Sequence, residues 1–226
     1  AVYDLPNTAG STWGPAHEIG HQHQGLLTLN GLTEVTNNLF SNISLWYKGM
    51  STSRYNGSDG SLESVLNAFN TNGSDIYTNN IWALTHLYYR LWLYYHLAGN
   101  NTQFYPRLFE LLRHDPMVKA YQQAGDVSMM HFYKLVCQAA GEDLTEFFRA
   151  HGYFTVMEDR FVGDYSNSIY NVSQAMIDEA IAEVCEESIC RQIRLDIGDR
   201  RGARRSPLTF LGEEDAAAGR KLFKAH

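Results

Sequence analysis

The sequence predicts a mainly α protein with little sheet, and three observations carry that expectation. Residues 81–97 form a very apolar stretch of helical length, with Trp82, Leu84, Leu87, Tyr88, Leu91, Trp92 and Tyr95. Helix punctuation recurs along the chain: Thr33, Ser61, Asp126 and Ser173 stand where N-caps belong, and Gly25, Gly99, Gly141 and Gly152 stand where helices stop. Only 153–170, with Phe154, Val156 and Phe161 among polar residues, offers room for a short strand.

The elements follow in order. Residues 1–14 contain Pro6, Gly10 and Gly14 and read as an irregular approach, with a short strand as an option at 1–5. Pro15 suits the first turn of a helix, where its missing N–H is not needed, so the first helix is expected over 15–24. A connector at 26–31 leads to a second helix capped by Thr33 and reaching about Tyr47. Residues 48–60 are a Ser-, Gly- and Asn-rich loop, and 61–69 a short helix. The apolar helix 81–97 is the expected central buried helix; His86, Arg90 and His96 interrupt it, and it is too short to cross a membrane comfortably. Further helices are expected at 104–113, stopped by Asp115-Pro116, at 127–139, at 143–151, and from Ser173 to about Ile193. After Arg194 the character changes to clustered Arg, Gly and Pro, then an acidic and Ala-rich end, which reads as a solvated linker or tail over 196–226 behind a domain over 1–195.

Composition narrows the function classes. The chain has 226 residues, 44% hydrophobic and 19% charged, enough to bury a sizeable core. A formal charge of −7 argues against a general nucleic-acid binder, because phosphate binding is driven by clustered Lys and Arg. Fourteen Tyr and four Trp suit carbohydrate or peptide partners. Three Cys build no disulfide framework; Cys137 is expected in the core, and Cys185 and Cys190 lie five apart in one helix, poorly placed to bridge. The chain opens on Ala1 without a basic and apolar leader and reads as a piece of a longer precursor.

The chemistry concentrates at His17-Glu18-Ile19-Gly20-His21. On a helix, His17 and His21 lie one turn apart on one face and can share a metal, while Glu18 borders that face and can hold a water. Chance supplies HExxH in roughly 2% of shuffled chains of this composition, so the motif needs support. Glu34 provides it: twelve residues after His21, in the first turn of the second helix, it can point back to close a His, His, Glu triad. Such a set binds one zinc ion and leaves its fourth position to water. His23 lies about 200° around the helix from His21 and is excluded as a ligand. His86, His96, His114 and His151 are most simply core or surface histidines.

The words around the motif carry a resemblance. Trp13-Gly14-Pro15-Ala16-His17-Glu18-Ile19-Gly20-His21-Gln22-His23-Gln24 and Thr33-Glu34-Val35-Thr36-Asn37-Asn38-Leu39 resemble the metallopeptidase family of viral enhancins and bacterial mucin-degrading proteases. Phe104-Tyr105-Pro106-Arg107-Leu108, Phe132-Tyr133 and Asp143-Leu144-Thr145-Glu146-Phe147-Phe148 are similar to later segments of that family, so the likeness spans roughly 10–165. The family's members are gluzincins, which implies a zincin-like catalytic domain, of which this chain looks like the helical C-terminal part. Gluzincins normally place a sheet subdomain ahead of the HExxH helix, and only 16 residues precede His17.

The resemblance implies His17, His21 and Glu34 as ligands of one Zn²⁺ and Glu18 as general base, the same four residues that spacing selects. It also implies secretion or a cell-surface location, and O-glycosylated, mucin-type glycoproteins as substrates. Hydrolysis would proceed by a metal-activated water, with Glu18 taking its proton and returning it to the leaving amine. Around this quartet, Asn37 and Asn38 are candidates to orient a ligand or touch substrate, and the alternative is capping or packing. Trp13 is a candidate for stacking on a sugar or, more simply, a buried aromatic. His131 and Tyr133 are candidates to stabilise a transition-state oxyanion. The competing reading of the whole chain is a glycan- or protein-binding module that keeps zinc without turnover. Oligomeric state is not legible.

Overall fold

The computed structural model describes residues 9–24, 33–50, 81–115, 125–162 and 168–198. The expected helix at 61–69, the strand option at 1–5 and the tail beyond 198 lie outside the described residues. The chain divides into two compact units, Ala1–Glu186 and Glu187–His226, and all that follows concerns the first.

The architecture is mainly α, with a two-stranded sheet as the sheet content of the described residues. In chain order come α1 (Ala9–His23), α2 (Thr33–Tyr47), α3 (Ile81–Trp92), α4 (Phe104–His114), α5 (Gly125–Ala140), α6 (Thr145–Ala150), β1 (Met157–Val162), β2 (Ser168–Val172) and α7 (Gln174–Gly198). No described helix is long and apolar enough to cross a membrane.

Helix α1 corrects the expectation at its start. It begins at Ala9, so Pro15 is its seventh residue rather than its first. Proline costs a helix interior one N–H donor and crowds the carbonyl of residue i−4. Burial of the preceding turn offsets this: Thr12 and Trp13 are buried, Trp13 packs with Leu45 and Met50, and the Ser41 hydroxyl donates to the Trp13 carbonyl at 3.4 Å. Helix α2 spans the expected residues.

Helix α3 runs into a π-helical turn, Leu93–Leu97, in which the Ala98 N–H donates to the Leu93 carbonyl five residues back. The extra residue per turn re-aims the side chains after Trp92. Tyr95 then stacks on Phe104 with ring centroids 4.4 Å apart, and its hydroxyl donates to Glu142. Gly99 ends the run with φ +73°, a backbone state that costs glycine little.

Helix α5 starts at Gly125, two residues before the expected 127, and α6 is shorter than expected, with the Asp143 carboxylate accepting the Thr145 N–H at 2.8 Å. The stretch 153–170 yields more sheet than expected. β1 and β2 pair antiparallel, with a register shift between Met157 and Arg160. Within that bulge Asp159 has φ 45°, and Asn171 on β2 accepts its N–H at 2.8 Å and donates to its carboxylate at 3.2 Å. Ser173 caps α7 by accepting the Met176 N–H, and that helix continues to Gly198 rather than ending near 193.

The core is aromatic. Tyr88, Tyr95, Tyr133, Tyr153, Tyr170, Phe104, Phe132 and Phe148 are fully buried, each removing enough apolar surface to stabilise by about 1.5–3 kcal/mol. Buried tyrosines keep a polar tip to satisfy: Tyr105 donates to the Tyr88 carbonyl at 2.6 Å and Tyr153 to the Met129 carbonyl at 2.9 Å. Burial pushes the Tyr89 hydroxyl up to about 12. Cys137 is buried in this core, as expected, and Cys185 is exposed.

Candidate active site

The site is built on the seam between α1 and α2. The buried face of α2 is unusually polar: Thr36, Asn37, Asn38, Ser41 and Asn42 lie beside Val35, Leu39 and Leu45. Polar groups taken out of water must find partners, and these find them largely on α1. Besides Ser41 on Trp13, the Asn37 Nδ2 donates to the His17 carbonyl at 2.5 Å and the Thr36 hydroxyl donates to Gln24 Oε1 at 3.3 Å. On the other side of α2, the Thr85 hydroxyl of α3 donates to the Val35 carbonyl at 3.2 Å.

Gly20 lets the two helices come this close. A Cβ at that position would stand 2.0 Å from Asn37 Oδ1 and 3.1 Å from the Phe40 Cβ. Glycine inside a helix costs roughly 1 kcal/mol against alanine, and here the missing side chain makes room for Asn37.

That approach brings three ligand-type side chains together. His17 and His21, one turn apart on α1, have ring centroids 4.9 Å apart and near-perpendicular planes. Glu34, from the first turn of α2, reaches both: its Oε2 lies 2.7 Å from His17 Nε2 and its Oε1 3.5 Å from His21 Nε2. One ligand atom from each residue falls within 4.8 Å of the others. The three side chains are 17–24% exposed, so the point they face is open to solvent on one side.

The donor chemistry fits a zinc ion. Two imidazoles and one carboxylate are a zinc set, and ligand atoms at 2.0–2.1 Å around a tetrahedral ion lie about 3.3 Å from one another. The His21–Glu34 distance already matches, and the His17–Glu34 pair needs to open by about 0.6 Å. Hydrogen bonding supports the same conclusion. Asn38 Oδ1 lies 3.2 Å from His17 Nδ1, and in this amide orientation it accepts that nitrogen's proton, turning an unprotonated Nε2 toward the Glu34 carboxylate. Two acceptors at 2.7 Å are held together only by a shared cation.

Glu18 projects from α1 beside this face and is exposed, with no side chain covering its carboxylate from solvent. It is therefore placed to meet a water at the open side of the cluster. His23 is exposed and stands outside the cluster, as its angular position requires.

The family model described as peptidase M60, enhancin and enhancin-like, matches residues 1–152. The chain belongs to this family. Among solved structures it is similar to a metallopeptidase from Bacteroides thetaiotaomicron, with 31% identity and a TM-score of 0.69 over 79% of this chain and 30% of that one. It is also similar to a metallopeptidase in complex with Tn antigen, with 30% identity and a TM-score of 0.68 over 79% of this chain and 34% of that one. The chain thus spans about a third of the length of both. No curated protein matches the sequence.

The remaining candidates fall in different places in this M60 chain. Asn38 contacts a ligand ring, and Asn37 is buried against the backbone of α1 rather than turned to substrate. Trp13 is 6% exposed and packs inside, so it offers no ring face to a sugar. Tyr133 is a correction to its expected role. It is fully buried against Phe148 and Phe154, and its hydroxyl shares a 2.6 Å hydrogen bond with Thr145, which commits it to the core. Burial raises its pKa well above the ordinary tyrosine value. His131 Nε2 lies 2.7 Å from Asp115 Oδ2, a pair that fixes the ring with that nitrogen occupied. Sequence reasoning missed Gly20 and Gln24; a glycine in mid-helix was the signal for the first.

Proposed function

We propose that the protein is a zinc-dependent endopeptidase that cleaves O-glycosylated, mucin-type glycoproteins outside the cell. The convergence of His17, His21 and Glu34 on one point, with Glu18 exposed beside it, carries this reading. Membership of the M60 family and likeness to metallopeptidases support the peptidase chemistry, and the relative in complex with Tn antigen supports a glycosylated substrate.

When bound, zinc supplies Lewis acidity, which acidifies a water toward neutral pH and polarises a peptide carbonyl. His17, His21 and Glu34 hold the ion and leave one side open. Glu18 takes the proton of the attacking water and hands it to the departing amine, so that one carboxylate acts as base and then acid. No covalent bond to the protein is required.

The test is zinc analysis together with cleavage of a mucin-type glycoprotein, before and after enzymatic removal of its glycans. One zinc per chain and cleavage that falls on deglycosylation are expected. Zinc binding with glycoprotein capture but no cleavage, in a chain carried at full precursor length, would favour the non-hydrolytic binding module instead.

A further inference from the structure

Resting on the zinc reading above, we propose that Gln24 is the positioning residue of His21, its carboxamide oxygen accepting the Nδ1 proton while the amide is anchored to α2 through Thr36. Gln24 follows α1 directly, and its N–H closes the helix by donating to the Gly20 carbonyl at 2.8 Å. Its side chain is 4% exposed, which for a primary amide is costly unless both ends are bonded. Both are: one end lies 3.3 Å from His21 Nδ1, and the other 3.3 Å from the Thr36 hydroxyl.

The two ligand histidines are served by carboxamides of the same kind from different helices. Asn38 of α2 faces His17 Nδ1, and Gln24 of α1 faces His21 Nδ1. A histidine that gives Nε2 to a metal carries its proton on Nδ1, and a fixed acceptor there sets both tautomer and ring angle. Asn38 already presents its oxygen. Gln24 presents Nε2 to His21, so metal binding at His21 Nε2 calls for the amide to turn over, bringing Oε1 to the ring and Nε2 to Thr36.

Thr36 makes that exchange possible without leaving a buried group unpaired. Its hydroxyl donates to Gln24 Oε1 in the orientation observed, and it also lies 3.5 Å from the Thr33 carbonyl. With the amide turned, the hydroxyl accepts from Gln24 Nε2 and directs its own proton to Thr33. A carboxamide thus orients the ring in either state and adds no second charge beside Glu34.

The experiment measures zinc affinity of the full chain by chelator competition, alongside the visible absorption of the cobalt-substituted protein, for Gln24→Leu, Gln24→Glu and Thr36→Val. Gln24→Leu is expected to weaken zinc about 10–100-fold and to alter the cobalt bands. Gln24→Glu, which keeps an acceptor at the ring, is expected to stay near wild type, and Thr36→Val to fall between. Thermal unfolding of the zinc-free proteins checks that the fold is shared. Wild-type affinity in Gln24→Leu would overturn the proposal, as would Gln24→Glu binding as weakly as Gln24→Leu, because an acceptor would then not be what His21 needs. A wild-type chain that binds no zinc would instead remove the zinc reading itself.

Discussion

Two regions of this molecule bury histidines, and they do so in opposite ways. At the α1–α2 seam, His17 and His21 each have Nδ1 against a carboxamide and turn Nε2 toward one carboxylate. In the aromatic core, His151 has both nitrogens used by the fold: Nδ1 donates to the Phe147 carbonyl at 2.7 Å, and Nε2 accepts from Arg90 at 3.0 Å. Burial first, and the Arg90 charge second, lower the His151 pKa to about 3, so its ring stays neutral. Burial lowers the pKa of Arg90 in turn. Histidine count therefore says little about a metal site; what separates ligand from packing is a nitrogen reserved beside a carboxylate that lacks a proton to share.

The largest expected effect separates chemistry from structure within the seam. Glu18→Ala should lower peptide hydrolysis about 10²–10⁴-fold while leaving zinc content and unfolding midpoint unchanged. Retained cleavage would remove Glu18 as the base. Gly20→Ala attacks the seam's geometry. Its new methyl, 2.0 Å from Asn37 Oδ1, forces the helices apart at an expected cost of about 1–3 kcal/mol, with weaker zinc binding alongside. Urea unfolding and chelator titration read the two losses, and an unchanged zinc affinity would show that the close approach does not set the site.

On the other side of the comparison, Arg90→Leu leaves the His151 Nε2 acceptor buried without its donor. A loss of about 1–2 kcal/mol is expected, with zinc stoichiometry intact. Loss of zinc in that variant would mean that the core and the seam are coupled. The smallest effect is in pH. Above the model value of 6.5 the His151 imidazole is neutral folded and unfolded; below it, the unfolded chain takes up a proton that the folded protein refuses until about pH 3. Stability should therefore fall as pH drops through that window, at most about 1.4 kcal/mol per pH unit from this group. His151→Gln should flatten that part of the urea midpoint's pH dependence, and an unaltered slope would assign the dependence to other groups.

Much of the seam was legible in sequence because its rules are local. HExxH fixes two ligands by helical periodicity alone, and Thr33-Glu34 announces a helix start from which a carboxylate can reach back. The start of α1 was not legible: Pro15 reads as a first-turn residue unless the burial of Trp13 against Leu45 and Met50 is known, and that contact joins residues more than thirty apart. Tyr133 failed for the same reason, since its commitment to Thr145 depends on how α5 meets α6. Gln24 was passed over because an amide next to a motif looks like any polar residue until its two partners are seen.

The most direct test of the seam as a metal centre is the zinc content of three proteins after equilibration with excess zinc and removal of the unbound ion. Wild type and Glu18→Ala should each retain about one zinc per chain, and Glu34→Ala should retain close to none. A full equivalent of zinc in Glu34→Ala, or none in the wild type, would contradict the assignment.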